Sequence, residues 1–92
     1  MYARVVKFTL GPGTRDAATA IADDAYALTK KLKGFVSATY FIHDEDAGVY
    51  GSVTVWESAE DAEAAGKALT EALKDRMSSP PEISQAEVYQ PR

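Results

Sequence analysis

Two neighbouring stretches, Phe35–His43 and Val49–Glu57, alternate strictly in side-chain character. In the first, Val36, Ala38, Tyr40 and Ile42 form one set. Phe35, Ser37, Thr39, Phe41 and His43 form the other. In the second, Val49, Gly51, Val53 and Val55 alternate with Tyr50, Ser52, Thr54 and Trp56. A period of two, rich in β-branched and aromatic residues, predicts half-buried strands. Asp44–Gly48 lies between them and supplies the Asp and Gly of a hairpin turn. Pairing Val53 with Ala38 and Val55 with Val36 would put both aliphatic sets on one face. The opposite face would then carry Phe41, His43, Tyr50, Ser52, Thr54 and Trp56. A one-residue slip or a bulge reverses that assignment.

The flanking segments follow one plan. Tyr2–Leu10 alternates, with Val6, Phe8 and Leu10 opposite Ala3, Val5, Lys7 and Thr9. Gly11-Pro12-Gly13 ends this strand. It lacks the spacing of a phosphate-binding loop and reads as a tight strand-to-helix turn. Thr14 or Asp16 can cap a helix whose stripe is Ala18, Ile21, Ala25, Leu28 and Leu32. Lys30, Lys31 and Lys33 crowd its end, where cations suit the helix dipole, and Gly34 is the expected stop. Ser58 caps a second helix with Asp61 three residues on. Its stripe is Ala62, Ala65, Leu69, Leu73 and Met77, interrupted by Gly66, which suits close packing. Ser78-Ser79-Pro80-Pro81 ends that helix, and Ile83–Gln90 predicts a last strand before the Pro91-Arg92 tail.

The order β-α-β-β-α-β predicts an α+β, ferredoxin-like fold in one domain spanning residues 1–92. It has a four-stranded antiparallel sheet with two helices on one face. Under the pairing above, the uncovered face holds Phe41, Tyr50 and Trp56, which is too apolar for open solvent. A second copy packed sheet against sheet would cover it, so a homodimer is expected. A chain of 92 residues gains considerably from a partner subunit.

Composition then narrows the function. The net charge of −4 argues against nucleic-acid binding, which leaves a basic footprint. No run approaches the roughly 20 apolar residues of a membrane span, and Met1–Leu10 does not read as a signal peptide. The absence of cysteine excludes disulfides and thiolate chemistry, and it fits a cytoplasmic protein.

Gly34-Phe35, the acidic hairpin and Val53-x-Val55-Trp56-Glu57-Ser58, leading into an alanine-rich helix, resemble the dimeric α+β barrel superfamily. Within it, the chain is most similar to antibiotic-biosynthesis-monooxygenase domains. The resemblance implies two subunits closing their sheets into a barrel, with a pocket in each. It also implies oxidation of phenol- or quinol-like aromatic molecules by O2 without a cofactor. Trp56 matches the tryptophan at the end of the third strand. Two features depart from relatives. The chain has no asparagine where several oxygenating relatives use one, and its second helix has no histidine to serve as a haem ligand. Haem degradation is therefore not expected.

The leading expectation is a cofactor-independent monooxygenase acting on a small aromatic molecule. His43, the only histidine, is the candidate base, because a phenol must lose a proton before passing an electron to O2. Phe41, Tyr50, Ser52, Thr54 and Trp56 are the candidate substrate-binding residues, with Trp56 offering a flat face for stacking. Arg4 and Lys7 could steer an anionic substrate if they face the pocket. One histidine beside Asp44, Glu45 and Asp46 does not make a metal site, and the turn reads as solvated. The alternatives are a non-catalytic dimeric binding or assembly module, or an isomerase or decarboxylase of the same superfamily using His43.

Overall fold

The computed structural model describes all residues except Ser78, Gln90 and Arg92. The expected strand end at Gln90, the tail residue Arg92 and Ser78 of the Ser-Ser-Pro-Pro run lie outside the described residues.

Strand β1 (Tyr2–Thr9) is followed by helix α1 (Arg15–Thr29) and the hairpin strands β2 (Phe35–Asp44) and β3 (Val49–Trp56). Helix α2 (Ala59–Leu73) runs into a 3-10 turn (Lys74–Arg76), and β4 (Glu82–Glu87) closes the sheet. The sheet order is β2-β3-β1-β4 with every neighbouring pair antiparallel, the ferredoxin-like topology. Residues of α1 and α2 meet the same sheet face, since both helices enclose one cavity with Arg4, Tyr40 and Thr54.

The caps follow local chemistry. Ser58 Oγ accepts from the Asp61 backbone N–H at 3.1 Å, which satisfies a free donor of the first turn of α2. Thr14 stands at the N-cap of α1 but makes no capping bond. Its hydroxyl donates to the Gly11 carbonyl at 2.6 Å and lies 3.0 Å from the Tyr50 hydroxyl. Helix α1 ends at Thr29, earlier than a stop at Gly34 would put it. Gly34 instead turns the chain into β2 with φ of 81°. A side chain there would be strained and would meet the Asp61 carboxylate.

The hairpin register corrects one expectation. Ala38 pairs with Thr54 and Thr39 with Val53, not Ala38 with Val53. The strands slip at two bulges, between Phe35 and Ser37 and between Ile42 and Asp44. Because side chains alternate with period two, this one-residue difference exchanges the faces of β3. Tyr50, Ser52, Thr54 and Trp56 therefore join Ala38, Tyr40 and Ile42 beneath the helices. Phe41 and His43 share the open face with Gly51, Val53 and Val55.

Trp56 shows the consequence. It is fully buried and packs with Ala62 and Ala65 of α2, flanked by Tyr2, Leu32 and Phe35. Phe35 meets it edge-on at 5.8 Å between ring centroids. Its indole N–H donates to Thr54 Oγ1 at 2.9 Å, so the buried donor is satisfied. Small residues on α2 let that helix approach the indole closely.

Trp56→Ala should therefore cost about 3–5 kcal/mol of folding stability, the usual range for emptying a buried tryptophan site. Urea denaturation measures this. A loss below about 1 kcal/mol would contradict the core position of the indole.

Candidate functional site

A cavity of about 250 Å³ lies between the helices and the sheet. Its walls are mainly apolar, with Ile21 and Ala25 from α1, Leu69 and Leu73 from α2, and Val6 and Phe8 from β1. The alternation of β1 brings Arg4 onto the same wall as Val6 and Phe8. Strands β2 and β3 add Tyr40, Ser52 and Thr54, and Thr29 reaches in from the end of α1.

These polar groups differ in what they have left to offer. Thr54 accepts the Trp56 indole N–H, and Tyr50 is joined to Thr14. Thr29 Oγ1 is buried without a partner. Burial raises the Tyr40 phenol above its ordinary pKa, and the nearby Thr29 hydroxyl opposes that shift. No formed hydrogen bond joins the two. Tyr26 meets Tyr40 edge-on at 6.4 Å, which seats the phenol against α1.

Arg4 is the unusual member. It is only 6% exposed. Among the described residues no hydrogen bond or ion pair reaches its side chain. Burial lowers its pKa, but a guanidinium remains charged at neutral pH. Gly66 of α2 makes its position workable. A Cβ at residue 66 would stand 2.8 Å from Arg4 Nε.

The structure divides the residues expected to form the site. Tyr50, Ser52 and Thr54 line the cavity. Trp56 is not among the lining residues and lies in the packed core. Phe41 pairs with Gly51, and both are among the residues lining the cavity. The Phe41 ring itself belongs to the open face, where it lies 5.9 Å from the His43 ring. His43 lies across Gly51 and is exposed. His43 is thus on the opposite side of the sheet from Tyr40, Ser52 and Arg4.

The acidic turn is engaged in its own structure. Arg15 Nη1 donates to Glu45 Oε1 at 2.6 Å, and the Ala47 backbone N–H donates to Asp44 Oδ1 at 3.0 Å. Among the described residues no group of three His, Cys, Asp or Glu side chains is placed to hold a metal ion. No helix among the described residues is long and apolar enough to cross a membrane.

Sequence reasoning undervalued Arg4 as one strand charge among several. Its signal was its phase, because it falls on the set of Tyr2, Val6 and Phe8. A charge at an apolar position of a strand must be paired, reach water or meet a ligand.

Comparison with known proteins adds the following. A family model described as antibiotic biosynthesis monooxygenase matches residues 1–79. No curated protein matches the chain significantly. Among solved structures, SnoaB, a cofactor-independent oxygenase from Streptomyces nogalater, superposes with a TM-score of 0.77 at 18% identity. That match covers 98% of this chain and 94% of SnoaB. A protein of unknown function from Nitrosomonas europaea gives a TM-score of 0.75 at 19% identity, covering 99% of this chain and 91% of the other. At these identities the likeness establishes the fold.

The Tyr40 shift sets an alkaline expectation. A folded pKa above the unfolded value of about 10 gives stability that is complete below that value. It is lost as pH rises through the folded pKa. Unfolding free energy should therefore fall more steeply with alkaline pH in the native protein than in Tyr40→Phe. Equal slopes in denaturant titrations would contradict the burial of the phenol.

Proposed function

We propose, for a chain that belongs to the antibiotic biosynthesis monooxygenase family, that it is a cofactor-independent monooxygenase acting on a small aromatic molecule. The observation that carries this reading is the cavity beneath the helices, apolar enough for an aromatic body and supplied with a few polar groups. Tyr40 and Ser52 are placed to bond a substrate oxygen. The apolar walls exclude water from a reactive intermediate.

The chemistry balances without an external reductant. A phenol-like substrate releases a proton to solvent, and the resulting anion passes an electron to O2. Carbon and oxygen then join, and the peroxide that forms takes a proton back to give a hydroperoxide. Loss of water leaves a carbonyl, with one oxygen atom in the product and the other in water. The electrons come from the substrate. His43 has no access to the cavity from the open face, so substrate deprotonation in this scheme does not rest on it.

A second reading has one observation in its favour. Among the described residues the cavity lining contains no imidazole and no carboxylate. Binding without turnover would fit such a lining.

Oxygen uptake by metal-free protein, tested against anthrone-like phenols and quinols, separates the two readings. The oxygenase reading expects uptake that falls at least tenfold when Ala22→Trp fills the cavity. It expects His43→Ala to leave uptake unchanged. Binding of the same compounds with no uptake would overturn it in favour of a binding module.

The open face supports the homodimer as a further part of this proposal. Val5 and Phe41 are 39% and 42% exposed in one chain. Val5 pairs with Val53, and Ala3 pairs with Val55, giving a contiguous apolar patch. A second copy of the chain would bury it. Val5→Glu combined with Val53→Glu should convert a dimer to a monomer in sedimentation equilibrium. A native protein that sediments as a monomer at micromolar concentration would contradict the pairing.

A further inference from the structure

We infer that the cavity recognises an aromatic molecule through an anionic oxygen, a phenolate or carboxylate, held by Arg4. This deepens the proposed function by naming the charge of its ligand. Three observations carry it. Arg4 is 6% exposed as a residue, and it lines the cavity. It has no hydrogen-bond or ion-pair partner among the described residues. Gly66 leaves the gap in α2 that its Nε occupies.

An unpaired buried cation is costly to folding, and proteins normally pair one or leave it in water. The two carboxylates that share a hollow with Arg4 are engaged elsewhere. Glu63 and Glu71 share a shallow groove with Arg4, yet Glu63 lies 3.7 Å from Lys67 and Glu71 lies 3.0 Å from Lys74. The cavity side of Arg4 presents Tyr40, Ser52 and Thr29, which carry no formal charge at neutral pH. A ligand oxyanion would supply the missing counter-charge, and the planar guanidinium can grip it with two parallel N–H bonds. The cost of holding Arg4 in place is met on folding, so the ligand does not meet it again on binding. The wall continues past Arg4 into a second hollow that shares Val6, Leu69, Leu73 and Met77. This leaves space for the rest of a ring system.

Binding of 2-naphthoate, its uncharged isostere 2-naphthamide and 2-naphthol, measured by fluorescence and calorimetry, tests this. The native protein should prefer naphthoate over naphthamide by about tenfold to a hundredfold. In Arg4→Met that preference should vanish while naphthamide binding persists. Bound 2-naphthol should ionise at a pH about one unit lower in the native protein than in Arg4→Met. Ionised naphthol identifies a phenolate site, and naphthoate preference alone identifies a carboxylate site. Equal binding of naphthoate and naphthamide, with no shift in naphthol ionisation, would overturn the inference.

Thermal unfolding adds an independent readout. Arg4→Met replaces an unpaired buried charge by an apolar chain of similar length, so its melting temperature should equal or exceed the native value. A much lower melting temperature would make Arg4 a structural residue and overturn the inference. Binding is read here without turnover. Charge preference without oxygen uptake would defeat only the oxygenase reading, and uptake without charge preference would defeat only this one.

Discussion

The register of β2 against β3 decides almost everything else in this protein. Ala38 opposite Thr54 sends Tyr50, Ser52, Thr54 and Trp56 towards the helices. One residue of slip would send them to solvent or to a partner. The indole then anchors α2 through Ala62 and Ala65, and its N–H fixes the Thr54 hydroxyl. With α2 held, Gly66 comes to rest over Arg4 and Leu69 closes the cavity roof. A single hairpin alignment thus places the core, the cavity and the buried cation together.

The two faces of the sheet have separate tasks. The helix-covered face carries Tyr40, Tyr50, Trp56 and the polar groups that line the cavity. The open face carries valines, Phe41 and His43, with Lys7 and Glu82 aligned beside each other at its edge. In the proposed assembly that face is a contact surface, and its side chains never meet the ligand of their own subunit. A histidine there is governed by solvent or by a neighbouring chain. Its presence in the sequence is therefore no guide to the chemistry in the cavity.

Much of the fold was legible because it rests on local signals. Alternation marked the strands, Ser58 marked the start of α2, and the order of elements led to the antiparallel sheet with two helices. The register was not legible. Bulges at Val36 and His43 shift the pairing of strands joined by a four-residue turn, and periodicity does not encode a bulge. The expected site was split for that reason, with Tyr50, Ser52 and Thr54 on the cavity, Phe41 between the cavity wall and the open face, and His43 behind the sheet. Trp56 was expected at a ligand or an interface, whereas packing against alanines drew it into the core. Arg4 could be found from its position in the β1 alternation. Its lack of a partner needed the structure.

The central claim is that the ligand binds under the helices, against Arg4, and not on the open face. A two-dimensional NMR titration of the labelled protein with 2-naphthoate tests it most directly. The account predicts shifts concentrated at the Arg4 guanidinium, Tyr40, Ser52 and Leu69. Shifts confined to Phe41, His43 and Val53, with Arg4 unmoved, would contradict it.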